Sequence, residues 1–108
     1  MSRRIILSPD ARVDLDTAAR WYHRQEANLS RRFKAEVDLT LLRVARHPYA
    51  SLRVDDRVRR VLTNRFRYRI DFDFNASSVR VLAITHQSRA DTVWKDRIDR
   101  FAEEASDD

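Results

Sequence analysis

The sequence predicts an α+β fold: β-α-α-β-β-β, an antiparallel sheet covered on one face by an α-helical hairpin, with a short C-terminal helix at its end. Three observations carry this. Two amphipathic segments of helical period stand near the start, one or two residues apart. Residues 65–74 alternate without a break between large apolar and charged side chains. Strand-like segments then follow in a run instead of alternating with helices, which favours α+β over a parallel α/β sheet.

Arg3-Arg4-Ile5-Ile6-Leu7 reads as a short strand. Ser8, Pro9 and Asp10 then supply an N-cap, a proline at the first helical position and an acid in the first turn. A helix is expected from Pro9 to about Glu26. Ala11, Leu15, Ala18 and Tyr22 recur at steps of four, three and four and share one face. Asn28 is the expected cap of a second helix from Leu29 to about His47, with Leu29, Phe33, Val37, Leu41 and Val44 as its buried stripe. Pro48 stops it. Helices so closely joined fold back as an antiparallel hairpin. Their shared apolar side needs a sheet.

That sheet comes next. Val58 to Leu62 is a short strand, and Thr63-Asn64 a two-residue turn in which Asn64 tolerates positive φ. Phe66, Tyr68, Ile70, Phe72 and Phe74 then alternate with Arg65, Arg67, Arg69, Asp71 and Asp73, predicting a strand with one buried and one wet face. Asn75 to Ser78 is a turn. Val79 to Thr85 is apolar on both sides, with Val79, Val81 and Ala83 opposite Leu82 and Ile84, as in a more central strand. Gln87 to Thr92 is loop. Val93 to Glu104 forms the last helix on Trp94, Ile98 and Phe101.

The length of 108 residues fits one domain, expected over residues 1–102, with a fraying acidic tail at 103–108. The chain has no glycine, so phosphate-cradling glycine loops, nucleophile elbows and EF-hand loops are excluded. It has no cysteine, which excludes disulfides, thiolate zinc sites and thiol nucleophiles. Its 22 basic residues outnumber 17 acidic ones, and all but Lys34 and Lys95 are arginine. The guanidinium fork suits phosphate and carboxylate partners. The tail holds four acids and no base, so the remaining body carries +9 against +5 for the whole chain. No apolar run approaches the roughly 18 residues of a membrane span, and no signal peptide follows Met1. A soluble cytoplasmic protein is expected.

Arg65, Arg67 and Arg69 are expected on one sheet face, as a row that grips phosphates or as a solvated face neutralised by Asp71 and Asp73. His86, at the end of the last strand, can move protons near neutral pH, and Arg89 can stabilise developing phosphorane charge. With Arg69 they could assist RNA cleavage by its own 2′-OH. They could equally be a strand-end histidine and surface arginines. His23 and His47 stand at no metal-ligand spacing, so no metal or other cofactor is expected. Asp14 with Asp16, and Asp55 with Asp56, read as structural or solubilising acids. Trp21, at the edge of the first helix's stripe, is either core rim or partner anchor.

Several of these segments together resemble the ParE/RelE toxin superfamily of bacterial type II toxin–antitoxin modules, on its ParE-like, plasmid-stabilisation branch. The resemblance covers about residues 4–95. It runs through Leu7-Ser8-Pro9-Asp10-Ala11, Leu15, Trp21-Tyr22, Phe33, Val37, His47-Pro48, Val58-Arg59-Arg60-Val61-Leu62, Phe66-Arg67-Tyr68-Arg69-Ile70, Val81 to Arg89, and Trp94. It implies a toxin that inhibits DNA gyrase, with Arg65, Arg67, Arg69, Arg89 and Trp94 toward the target. It also implies a cognate antitoxin that lies over Leu15, Trp21, Tyr22, Phe33 and Val37 and forms a hetero-oligomer with the toxin. The nuclease branch implies a ribosome-dependent mRNA endoribonuclease using Arg69, His86 and Arg89. Trp94 stands where such nucleases commonly carry a tyrosine, and an indole has no phenolic proton to give. That departure favours a non-enzymatic poison. A non-toxic nucleic-acid-binding domain is the remaining alternative.

Overall fold

The computed structural model describes residues 2–106, with side chains through Arg100. The chain forms β1 (Arg4–Leu7), α1 (Pro9–Gln25), α2 (Ala27–Arg46), a 3-10 turn (Pro48–Ala50), β2 (Leu52–Arg53), β3 (Arg59–Leu62), β4 (Tyr68–Phe74), β5 (Ser78–His86) and α3 (Lys95–Ser106). The five strands make one sheet in the order β1-β5-β4-β3-β2. β1 lies parallel to β5 and every other pair is antiparallel, so the sheet is mixed. β5 is an interior strand, between β1 and β4, as its two apolar sides predicted. β2 is an addition to the expected strands: two exposed residues, too short to leave a pattern.

Local chemistry explains the helix ends. The Ser8 side chain accepts the Ala11 N–H at 3.0 Å, and Pro9 opens α1. α2 begins at Ala27, without a side-chain cap, so Asn28 lies inside the first turn instead of capping it. The carbonyl of Glu26, the single residue between the helices, already accepts the Leu29 N–H, which sets α2 going two residues early.

The hairpin packs on one sheet face as expected. Phe33, Val37, Leu41 and Val44 of α2 and Ala11, Ala18 and Ala19 of α1 meet Ile70, Phe72, Val79, Val81 and Ile84. Phe33 is the aromatic centre, with ring centroids 5.1 Å from Tyr22, 4.8 Å from Tyr68 and 5.5 Å from Phe66. Alanine on α1 lets the helix approach the sheet closely. Large residues on α2 fill the remaining depth.

Three expectations about the strands need correction. β4 starts at Tyr68, not Arg65. Residues 64–67 are a loop, in which Phe66 and Arg67 take φ of 69° and 55° while Asn64 does not take positive φ. The Glu36 carboxylate fixes the loop's start by accepting the N–H groups of Asn64 (2.8 Å) and Arg65 (3.3 Å). The loop closes where the Tyr68 N–H donates to the Thr63 hydroxyl oxygen at 3.1 Å. Left-handed backbone is costly for bulky residues. Packing of the Phe66 ring against Tyr22 and Phe33 holds it there.

In β5 a bulge interrupts the alternation: Asp71 pairs with Ala83, yet Phe72 pairs with Val81. The extra residue flips the faces. Ile84 therefore joins Val81 under the hairpin, while Leu82 points to the other side.

That other side is not wet. Val58, Leu82, Trp94 and Ile98 form a second apolar cluster, where α3 and the segment before it close over the sheet. Asp71, Asp73 and Arg69 are all buried there. α3 continues through residues 103–106 of the expected tail. The Phe101 side chain and residues 107–108 lie outside the described residues.

Candidate functional site

A cleft of about 570 Å³ opens between α1 and the end of β5. Asp14, Trp21, Tyr22, Tyr68, His86 and Arg89 line it. Helical spacing puts Asp14, Trp21 and Tyr22 along one edge of α1. The pairing of Tyr68 with His86 at the end of the β4–β5 ladder supplies the facing wall. The cleft thus has an aromatic side and a basic, hydrogen-bonding side.

His86 is held in a defined form. The Ser88 backbone N–H donates to its Nδ1 at 3.1 Å, and the Ser88 hydroxyl lies 2.9 Å from the same nitrogen. Nδ1 is therefore an acceptor and the ring proton sits on Nε2. The ring meets Tyr68 edge-on, with centroids 5.4 Å apart. Burial pushes the Tyr68 phenol up to about 12, helped by its hydrogen bond to the Tyr22 hydroxyl. Tyr68 thus stays protonated at physiological pH and can donate.

Arg69 stands beneath this wall, not in it. Only 9% of the residue is exposed. Its Nη2 donates to the backbone carbonyls of His86 (3.3 Å), Arg89 (2.6 Å) and Ala90 (3.2 Å). The guanidinium ties down the loop that carries His86 and Arg89. Its other neighbours on this face are paired acids. Asp71 takes Arg60 through Nε at 2.7 Å and Nη2 at 3.4 Å. Burial pushes the Asp71 carboxyl up, against the pull of Arg60. Asp73 takes Arg80, with Nε at 2.7 Å, and this hydrogen bond raises the Arg80 pKa.

The expected row of Arg65, Arg67 and Arg69 on one open sheet face is therefore not formed. Arg65 and Arg67 are exposed in the loop before β4, and Arg69 is enclosed. Trp94, expected toward a target, is buried against Leu82 and Ile98. Among the residues expected under an antitoxin, Phe33 and Val37 are core. Trp21 is 49% exposed, while Leu15 and Tyr22 are partly buried at the core's margin.

Asp14, read from sequence as structural or solubilising, is structural. Its Oδ2 accepts the Ile84 N–H at 3.0 Å and pairs with Arg97 at 2.6 Å, joining α1, β5 and α3. Its partner is 83 positions away, so no local signal could have found it. Tyr68 was also missed as a site residue, because it reads as a core member of the alternation. Among the described residues no group of three or more His, Asp or Glu side chains could hold a metal ion.

The five-stranded sheet, with the helical hairpin on one face and α3 on the other, thus leaves an aromatic and basic cleft at the hairpin's edge. Residues 5–91 match the family model described as "ParE toxin of type II toxin-antitoxin system, parDE". The match spans most of the chain, and the chain belongs to that family. Among solved structures it is similar to a chain of the "Chromosomal ParDE TA system from P. aeruginosa", with a TM-score of 0.67. The superposition covers 79% of this chain and 96% of that one at 12% identity, a likeness of fold. No curated protein matches in sequence.

Proposed function

We propose that this ParE-family chain acts without covalent chemistry, by binding DNA gyrase and stabilising its cleaved-DNA state, and that a cognate antitoxin holds it inactive. The observation that carries this reading is the position of Arg69. A nuclease built on Arg69, His86 and Arg89 needs all three at the scissile phosphate, but this guanidinium is enclosed and engaged by three carbonyls. The cleft fits recognition better. Trp21 and Tyr22 offer apolar surface, and His86 and Arg89 offer donors. An acidic, amphipathic antitoxin segment would match both, and the positive body of the chain would steer it.

Purified chain added to gyrase should block supercoiling and accumulate linear DNA, and the antitoxin should reverse both effects. Unchanged supercoiling at micromolar toxin would overturn the reading. The presence of Tyr68, His86 and Arg89 in one cleft supports a second reading, mRNA cleavage. His86→Ala separates the two: it should abolish growth arrest by a nuclease and leave arrest by a gyrase poison largely intact. Transcripts that stay intact during arrest would remove the second reading.

A further inference from the structure

At the opposite end of β5 from His86 lies a second cleft of about 570 Å³, bounded by the 3-10 turn, the β2–β3 connection and the Asn75 turn. Arg3, Tyr49, Arg53, Arg57, Arg59 and Phe74 line it. We propose that this cleft binds an unpaired nucleotide within a single-stranded nucleic acid, with the base stacked on Tyr49 and the flanking phosphates on Arg53 and Arg57. The proposal does not depend on gyrase or mRNA being the toxin's target.

The aromatic platform is built in advance. Tyr49 is 71% exposed although its ring already touches Phe74 and Arg59. It sits in a 3-10 turn started by the buried Pro48 and closed by N–H donation from Ala50 to His47 (3.1 Å) and from Ser51 to Pro48 (3.2 Å). Its ring meets Phe74 edge-on at 5.0 Å. The Arg59 guanidinium lies over both rings, 5.4 Å from Tyr49 and 5.8 Å from Phe74. Carbonyls of Tyr49 (3.3 Å) and Ser51 (3.0 Å) hold that guanidinium in place. Arg3 covers Phe74 at 5.3 Å. Little conformational freedom remains to be lost when a base arrives.

The charge has the right sign. Five arginines face three aspartates in the lining. Asp73 is taken up by Arg80, and the Asp55 carboxylate accepts the Arg57 backbone N–H at 3.1 Å. The side chains of Arg53 and Arg57 are 61% and 58% exposed and form long ion pairs, at 3.7 and 3.5 Å, with the still more exposed Asp56 and Asp99, while Arg53 also donates to the carbonyls of Asp55 (3.4 Å) and Asp56 (3.5 Å). Such surface pairs are weak and yield readily to a phosphate. An exposed aromatic beside a basic groove is the combination that single-stranded nucleic acids require: a face for any base and cations for the backbone.

The test is fluorescence-anisotropy titration of the full chain with labelled oligo-dT, oligo-rU and a duplex, over a salt series. Both single strands, or one of them, should bind more tightly than the duplex. Preference between them identifies DNA or RNA as the source. Tyr49→Ala should weaken binding about tenfold with the salt slope unchanged, and Tyr49→Phe should keep it. Arg53→Ala and Arg57→Ala should each lower the slope of log K against log salt by about 0.7. All three residues are exposed, so these variants fold. Equal binding of duplex, equal displacement by polyglutamate, or indifference to Tyr49→Ala would each overturn the proposal.

Discussion

The two faces of the sheet are held by different physics. Under the hairpin, Ile70, Phe72, Val79, Val81 and Ile84 pack their side chains into one apolar cluster with α1 and α2. On the other face, four apolar residues share the space with Arg60–Asp71, Arg80–Asp73 and the enclosed Arg69, and Arg97–Asp14 ties α3 back to α1. The first face gains stability from the area removed from water and is indifferent to direction. The second depends on geometry. A buried charge is tolerable only when its partner is in place. Arg60–Asp71 and Arg80–Asp73 join neighbouring strands, Arg60 and Arg69 also hold carbonyls of residues 86–91, and Arg97–Asp14 ties α3 to α1. One face makes the chain fold, and the other decides where α3 and the 86–90 loop sit.

Deletion on the apolar face should have the largest effect. Phe33→Ala removes a fully buried ring that touches Tyr22, Phe66 and Tyr68. The expected loss is about 3–5 kcal/mol by urea denaturation, much of a small domain's stability. A loss under about 1 kcal/mol would mean the hairpin is not the main core.

On the charged face the decisive comparison is single against double substitution. Asp71→Ala leaves Arg60 buried with only the Asp91 carbonyl, at 2.8 Å, and should cost about 3 kcal/mol. Replacing both, with Asp71→Leu and Arg60→Met, should recover most of that loss. If the single change proves harmless, the distinction between the faces fails.

This contrast also explains what was legible in the sequence. The helix starts at Ser8-Pro9, the hairpin, and the burial of Ile70 and Phe72 all follow from periods of 3.6 and 2, because apolar burial leaves a periodic trace. Paired burial of charge leaves none. Arg69, Asp71 and Asp73 look like a solvated edge until Arg60 and Arg80 are known to reach them. Phe66 continues the alternation of β4 perfectly, yet belongs to a left-handed loop. With no glycine to take positive φ, the turn falls on residues whose identity gives no warning. The candidate cleft is legible in parts: the sequence marks Trp21 and Tyr22 for an antitoxin and His86 and Arg89 for a nuclease site, but does not bring the two pairs together. Their meeting is a property of the β4–β5 register and the approach of α1, which no local pattern encodes.

The charged face should weaken from its interior outward. Arg100–Asp10, which links α3 to α1 at the surface, is much more exposed than Arg60–Asp71. Arg100→Ala should cost no more than about 0.5 kcal/mol, and that loss should vanish in high salt, whereas the cost of Asp71→Ala should persist. Equal salt sensitivity at both sites would mean that the inner pair is as wet as the outer one.

Smallest in effect is a probe of the margin where the apolar face meets the cleft. The Tyr68 pKa is raised from 10.0 to about 12 by burial and by Tyr22. A group whose folded pKa lies above its unfolded value supports the fold fully below the unfolded pKa, and loses that support as pH rises through the folded one. Tyr68 therefore adds nothing to acid sensitivity and makes the fold vulnerable only between about pH 10 and 12. Ultraviolet titration of the phenolates should show a late step that is missing in Tyr68→Phe. Alkaline unfolding should move to higher pH in the same variant, because phenylalanine keeps the ring packed on Phe33 and has no proton to lose. A Tyr68 that titrates near the ordinary phenol value of 10.0 would place the cleft wall in water, and the division between a dry hairpin face and its wet edge would have to be redrawn one strand inward.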